Sequence, residues 1–241
     1  MGPKKIVVVG GVAGGMSAAA RARRLSEDAH IVVLERDAYV SFANCGMPYH
    51  IGGDIPDRDE LLVQTPESLA ANLNLDVRVA NEVVAIDTSG KIVQVRDLGA
   101  SRTYQLPYDK LVLATGAKPV QPSLPGIDSP LVHTLRNLED MDRIKAVVDA
   151  GRGRAVVIGG GYIGIEMVEA LRHREWQVTL LEAADQVMGP LDPEMAQQVQ
   201  AELARNGVQL HLGTKAEGFT DTSVLTSDGV LPADLVVLAI G

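Results

Sequence analysis

Two features of this chain have residue types and spacings that can do chemistry. One is a thiol. Cys45, the only cysteine in 241 residues, stands in the stretch Ser41-Phe42-Ala43-Asn44-Cys45-Gly46-Met47-Pro48-Tyr49. A thiolate attacks disulfide and persulfide sulfurs, and a helix starting at Cys45 would favour the ionised form. Most lone cysteines are instead small, inert and buried. The Asn-Cys-Gly-x-Pro-Tyr context argues against that here. The other feature is a pair of glycine runs, Gly10-Gly11-Val12-Ala13-Gly14-Gly15 and Gly159-Gly160-Gly161-Tyr162-Ile163-Gly164. Backbone N–H groups where such a run turns into a helix can face a pyrophosphate. Glu35 lies 25 residues after Gly10 and Glu182 lies 23 after Gly159, each placed to accept from a ribose hydroxyl. The second run matches every glycine of G-x-G-x-x-G, whereas the first has Val12 in the middle place.

The elements that must position these groups follow from the pattern. Short β-branched runs at 6–9, 31–34, 155–158 and 178–182 read as buried parallel strands, and a helix follows each glycine run. Each glycine run therefore sits in a βαβ unit, and the two units make an internal repeat. Residues 82–87 and 91–97 alternate as a hairpin around Thr88-Ser89-Gly90, and 111–114 is a further strand closed by Thr115-Gly116. Thr65-Pro66-Glu67 looks like a helix start. Pro119, Pro122, Pro125 and Pro130 mark a linker. Helices are expected over 137–150 and 193–206, the latter stopped by Gly207. A strand at 208–212, a turn-rich hairpin to 231 and a strand at 235–240 complete the second unit. The expected fold class is α/β, with two tandem Rossmann-like (βαβ) dinucleotide-binding domains, at 1–117 and 118–241, carrying small antiparallel β insertions.

Composition excludes several other functions. The net charge is −9, which disfavours a nucleic acid or an anionic membrane as partner. No apolar run approaches the ~20 residues needed to span a bilayer. One cysteine cannot form an intramolecular disulfide, which fits a reducing, cytoplasmic setting. Aromatic residues are 3% of the chain, so no base-stacking platform is evident. His30, His50, His133, His173 and His211 lack metal-ligand spacing, and no metal is expected. Only His50, close to Cys45, draws interest.

Two dinucleotide folds around a cysteine resemble the pyridine nucleotide–disulfide oxidoreductases. The string from Ser41 to Tyr49 is similar to that of their single-cysteine branch, which holds coenzyme A disulfide reductases, related persulfide reductases, and NADH oxidases and peroxidases. Residues 111–116 resemble the family's first A-T-G segment, and 233–241 the second strand of that type. The resemblance implies FAD and NADH as cofactors, with NADPH less favoured because Glu182 would repel a 2′-phosphate and Ala183-Ala184 offers no arginine. Cofactor contacts are expected at Gly10, Gly11, Val12, Ala13, Gly14, Glu35, Arg36, Ser41, Val79, Ala114, Thr115, Gly116, Arg136, Gly159, Gly160, Gly161, Tyr162, Ile163, Gly164, Glu182 and Gly241. Contacts to coenzyme A are implied at Ser17, Arg21, Arg24, Ser41 and Asn44. The two arginines suit a phosphate, and solvated helix-surface charges are the equal alternative. One departure stands out: coenzyme A disulfide reductases carry a basic residue where this chain has Leu73, and 70–75 holds no charge.

Cys45 is the implied catalytic residue. Electrons would pass from NADH to the flavin and on to Cys45, which attacks the disulfide or persulfide of a small thiol, coenzyme A foremost. Oxidases and peroxidases of the branch carry a histidine at the place of Ala13, which argues for the reductases. A non-catalytic redox sensor with Cys45 as its switch is the reading from another class. The resemblance further implies a homodimer, and a C-terminal dimerisation domain that is absent from these 241 residues. Without it, weak flavin retention and little turnover are expected.

Overall fold

The computed structural model describes residues 2–240. It divides into two compact units: one holds the chain up to Ala43 together with Asp59–Ala117, the other Asn44–Arg58 together with the chain from Lys118 onward. The uninterrupted domain expected over 1–117 is therefore broken, because residues 44–58, Cys45 among them, group with the second unit.

In the first unit β1 (Lys5–Val9) leads into α1 (Ala13–Leu25) and β2 (His30–Leu34). The chain then supplies helix α2 (Met47–Gly52) to the other unit and returns through α3 (Pro66–Leu73) and β3 (Asp76–Arg78). Strands β4 (Asn81–Asp87), β5 (Ile92–Asp97) and β6 (Arg102–Pro107) precede β7 (Lys110–Leu113). Among the described residues the parallel sheet has the order β3-β2-β1-β7, and β4-β5-β6 is a separate antiparallel sheet. Alternation along β1 decides the packing. Val8 points into a core with Met16 and Ala19 of α1, while Val7 and Val9 face Val93 and Val95 of β5. A sheet covered on both faces explains why the strand reads as continuously apolar.

The second unit repeats the plan. Strand β8 (Val132–Thr134) and α4 (Leu138–Ala150) come before β9 (Arg154–Ile158), α5 (Tyr162–His173) and β10 (Gln177–Leu181). Then follow α6 (Pro193–Arg205), β11 (Gln209–His211), the strands β12 (Ala216–Phe219), β13 (Ser223–Thr226) and β14 (Gly229–Pro232), and β15 (Leu235–Leu238). The parallel sheet runs β11-β10-β9-β15-β8, with β12-β13-β14 antiparallel beside it. Phe219 and Val224 from that small sheet pack on Val156, Ile158, Val236 and Leu238. Both insertions expected as hairpins are three-stranded. Helix α2 buries Met47, Pro48, Ile51 and Gly52. A Cβ on Gly52 would lie 3.2 Å from the Ala170 Cα, so α2 meets α5 almost backbone to backbone.

Candidate functional site

The glycine runs show which glycines the fold itself demands. Gly10 and Gly159 have φ of +103° and +107°, and a Cβ there would sit 2.1 Å from the Ala114 carbonyl oxygen and 2.6 Å from that of Ala239. A Cβ on Gly15 or Gly164 would sit 1.8 or 1.9 Å from the carbonyl oxygen of Gly10 or Gly159. These positions close helix against strand. The middle position does not: a Cβ on Gly161 would meet nothing within 4 Å. Val12 therefore fits the equivalent place, at φ −103° and ψ −139°, without disturbing the turn. Gly15, a packing requirement of this turn, was not among the expected contacts, although the G-x-G-x-x-G spacing marks it.

The acidic residues tie each loop to the end of the second strand. Glu35 accepts from the Gly11 N–H at 2.7 Å and from the Asp37 N–H at 2.9 Å. Glu182 accepts from the Gly160 N–H at 2.6 Å and from the Ala184 N–H at 2.8 Å. Each carboxylate retains lone pairs for a ribose hydroxyl, so the holding role found here adds to the expected one. The next segment crosses back over the loop in both units. The Ser41 N–H donates to the Gly11 carbonyl at 2.8 Å, and the Met188 N–H to that of Gly160 at 2.7 Å. Ser41 and Met188 have φ of 48° and 51°, an unusual left-handed conformation for either residue. Ser41 was expected in the site. Met188 was missed, and only the internal repeat could have revealed it.

The helix starts fit a dinucleotide. Neither α1 nor α5 has a side-chain cap or an acidic residue in its first turn. By contrast Thr65 caps α3 and Asn137 caps α4, each accepting a backbone hydrogen bond. Bare first-turn N–H groups beside a glycine loop suit the pyrophosphate of a dinucleotide in each unit. Tyr162 and Ile163 are exposed at the start of α5, where Ala13 and Gly14 stand in α1.

The other expected residues are placed as follows. Ala114 donates its N–H to the Val9 carbonyl at the end of the first sheet, Thr115 is exposed and Gly116 has φ of +68°. Arg36 is exposed and pairs with Asp37. The Val79 carbonyl accepts from the Asn81 amide. Arg136 lies just before α4, its backbone N–H donating to the Asp140 carboxylate. Gly241 lies outside the described residues. Ser17, Arg21 and Arg24 are exposed on α1 at positions that share a face, whereas Arg23 is engaged by the carbonyls of Leu73 and Asn74. Ser41 belongs to the first unit and Asn44 to the second.

Cys45 is exposed, which removes the buried-hydrophobe reading. It sits in a 3₁₀ turn (Asn44–Gly46), and α2 begins only at Met47, so the helix start expected at Cys45 falls two residues later. His50 is buried, with Nδ1 2.7 Å from the Ile55 carbonyl oxygen, and its role in the turn is structural.

The pyridine nucleotide-disulphide oxidoreductase family matches residues 4–241, and the chain belongs to it. Among curated relatives, a coenzyme A disulfide reductase from Staphylococcus haemolyticus is 35% identical over 240 residues, covering 99% of this chain and 54% of the relative. The chain thus spans about half the length of the curated relatives it matches. A reduced Bacillus anthracis CoADR-RHD is 48% identical with a TM-score of 0.97, covering 100% of this chain and 44% of that one. An NAD-dependent persulfide reductase from A. fulgidus is 37% identical with a TM-score of 0.94, over 98% of this chain and 46% of that one. A water-forming NADH oxidase from Lactobacillus brevis is 34% identical with the same TM-score, over 99% and 54%. No helix among the described residues is long and apolar enough to cross a membrane.

Proposed function

We propose that this protein is an NADH-dependent reductase of small-molecule disulfides or persulfides, with coenzyme A disulfide the foremost substrate, FAD as resident cofactor and Cys45 as the reacting thiol. The observation that carries this reading is the exposed Cys45 turn in a chain with two bare, glycine-lined helix starts. FAD, when bound, supplies the two-electron relay between nicotinamide and sulfur. The chain's own residues do the rest. Gly10 to Gly15 and Glu35 would hold one dinucleotide, and Gly159 to Gly164 and Glu182 the other. The Cys45 thiolate attacks one sulfur of the disulfide; the S–S bond breaks, one thiol leaves with a proton, and a mixed disulfide remains on Cys45. The two electrons of one NADH then cleave that bond, which releases the second thiol and NAD+ and regenerates the Cys45 thiolate.

Glu182, with Ala183 and Ala184 beside it, favours NADH over NADPH, since a 2′-phosphate would meet like charge and no cation. Arg21 and Arg24, free of the carbonyl contacts that engage Arg23, are the proposed phosphate contacts for coenzyme A, with Ser17, Ser41 and Asn44 around the thiol's substrate. The complete enzyme is proposed to work as a homodimer in the cytoplasm. The similarity to the Lactobacillus brevis oxidase supports a second reading, in which oxygen is the acceptor; Ala13, in place of the branch's histidine, weighs against it.

Intact mass of the purified protein, before and after reductant, with its visible spectrum, tests the proposal. A reductant-labile coenzyme A adduct on Cys45 with bound flavin is the expected result. A bare thiol with oxygen consumption that matches NADH oxidation would overturn it in favour of the oxidase. A single exchange per flavin without turnover would favour the sensor.

A further inference from the structure

The thiol-bearing turn leads into α2, which is buried against its unit, and the segment that holds both ends in a fork. Arg58 closes the segment 44–58. Its Nε and Nη2 donate to Oδ1 and Oδ2 of Asp142 on α4, both at 2.8 Å. We infer that this Arg58–Asp142 pair is a positioning device for Cys45: it anchors the end of the segment to α4 and so fixes the turn that carries the thiol. The inference rests on the reading of Cys45 as the reacting thiol.

Three observations carry it. First, α2 is six residues long, too short to hold itself as an isolated helix, so its placement depends on its neighbours. Second, the turn is stiff. The Tyr49 carbonyl accepts from the N–H groups of Gly53, Asp54 and Ile55, at 2.9, 2.9 and 3.3 Å, and the His50 ring is bonded to the Ile55 carbonyl. These bonds tie residues 49–55 into one piece that lies between Cys45 and the fork. Third, α2 abuts α5, which opens at Tyr162 in the second glycine loop, through the Gly52–Ala170 approach; Asp54 reaches His173 at the far end of α5, at 3.3 Å. The dinucleotide loop and the thiol turn are thus mounted on the same helix, α5, and the fork adds a second anchor, to α4.

The chemistry of the fork suits this task. Two parallel N–H···O bonds fix orientation as well as distance, which a lysine's single charge would not. The pair is partly open to solvent, with side chains 27% and 42% exposed, so it contributes little to stability. Its consequence is geometric. An ångström of misplacement at a reacting atom can cost on the order of 100-fold in rate.

The test uses the intact holoenzyme with NADH and coenzyme A disulfide, in the variants Arg58→Gln, Asp142→Asn, Arg58→Lys, the exchanged pair R58D/D142R, and Cys45→Ser. Turnover, the KM for NADH and the melting temperature are read for each, with the rate of Cys45 alkylation by iodoacetamide for those that keep the thiol. The positioning role predicts that Arg58→Gln and Asp142→Asn each lower kcat roughly tenfold, with KM for NADH held within about twofold, and change the alkylation rate severalfold. Arg58→Lys falls between, and the exchanged pair restores most of the loss. An unchanged kcat and alkylation rate, or a loss that follows the melting temperature, would overturn the inference. If Cys45→Ser abolishes turnover while the fork variants do nothing, positioning alone fails. If Cys45→Ser turns over disulfide normally, the reading of Cys45 as the reacting thiol fails and the inference with it.

Discussion

The two units share the hydrogen bonds that frame the glycine loop and differ at the middle of that loop. Gly10 donates to the Leu34 carbonyl as Gly159 does to that of Leu181, both at 2.8 Å. Lys5 and Asp109 exchange backbone and carboxylate bonds, as Arg154 and Asp234 do. Glu35 matches Glu182, and the left-handed Ser41 matches Met188. Against this background Val12 stands opposite Gly161, and Ala13 opposite Tyr162. The outer glycines are fixed by carbonyls less than 3 Å from where a Cβ would be, so they answer to the fold. The middle position is under no such constraint, since a Cβ on Gly161 would meet nothing within 4 Å.

Substitutions can break this correspondence in a graded way. The largest effect belongs to the third glycines. Gly15→Ala and Gly164→Ala force a methyl onto a backbone carbonyl that cannot retreat, and each is expected to cost about 3 kcal/mol. Thermal melting checks the cost, and ligand retention checks its locality: on the proposed assignment, flavin is lost with Gly15→Ala and NADH binding with Gly164→Ala.

Exchanging the middle residues separates fold from ligand. Gly161→Val is expected to leave the melting temperature nearly unchanged while weakening NADH binding more than about tenfold, because its side chain enters open space beside the loop. The reverse change, Val12→Gly, should keep the flavin and cost only the ~0.5–1 kcal/mol of added chain freedom. Calorimetry and a binding titration read both.

Next come the acids. Glu182→Gln replaces a charge-assisted acceptor of two N–H groups by a neutral amide, for an expected cost of about 1–2 kcal/mol, and should narrow the proposed preference for NADH over NADPH. Glu35→Gln should cost the same without altering that preference. Steady-state kinetics with the two nucleotides distinguishes them.

The smallest effect is on pH dependence. The Arg154 fork, with help from the Arg154 N–H, holds the Asp234 carboxyl below its ordinary range. A carboxylate depressed in the folded state stabilises the fold above its unfolded pKa of about 3.9, and that contribution is lost as pH falls through the folded value. Asp234→Asn should therefore make acid unfolding shallower below about pH 4, as followed by circular dichroism.

The repeat was legible because βαβ packing demands glycine at fixed places and an acid at the next strand end. The start of α3 at Thr65 was legible for a similar local reason. Strands β3 and β8 were not. Asp76-Val77-Arg78 and Val132-His133-Thr134 are half-buried edges of three residues, too short for an alternation to register. The grouping of residues 44–58 with the second unit was hidden for another reason. It rests on contacts such as Arg58–Asp142, 84 positions apart, which no local pattern encodes. Met188 was hidden because its role follows from a backbone angle, and methionine seldom announces one.

The measurement that bears most directly on the proposed chemistry is NADH-dependent release of free coenzyme A from its disulfide, by the intact protein and its Cys45→Ala variant side by side. Two thiols released per NADH by the parent protein, and none by the variant although its flavin is still reduced by NADH, is the expected result. Equal release by both would show that the reacting sulfur chemistry does not pass through Cys45.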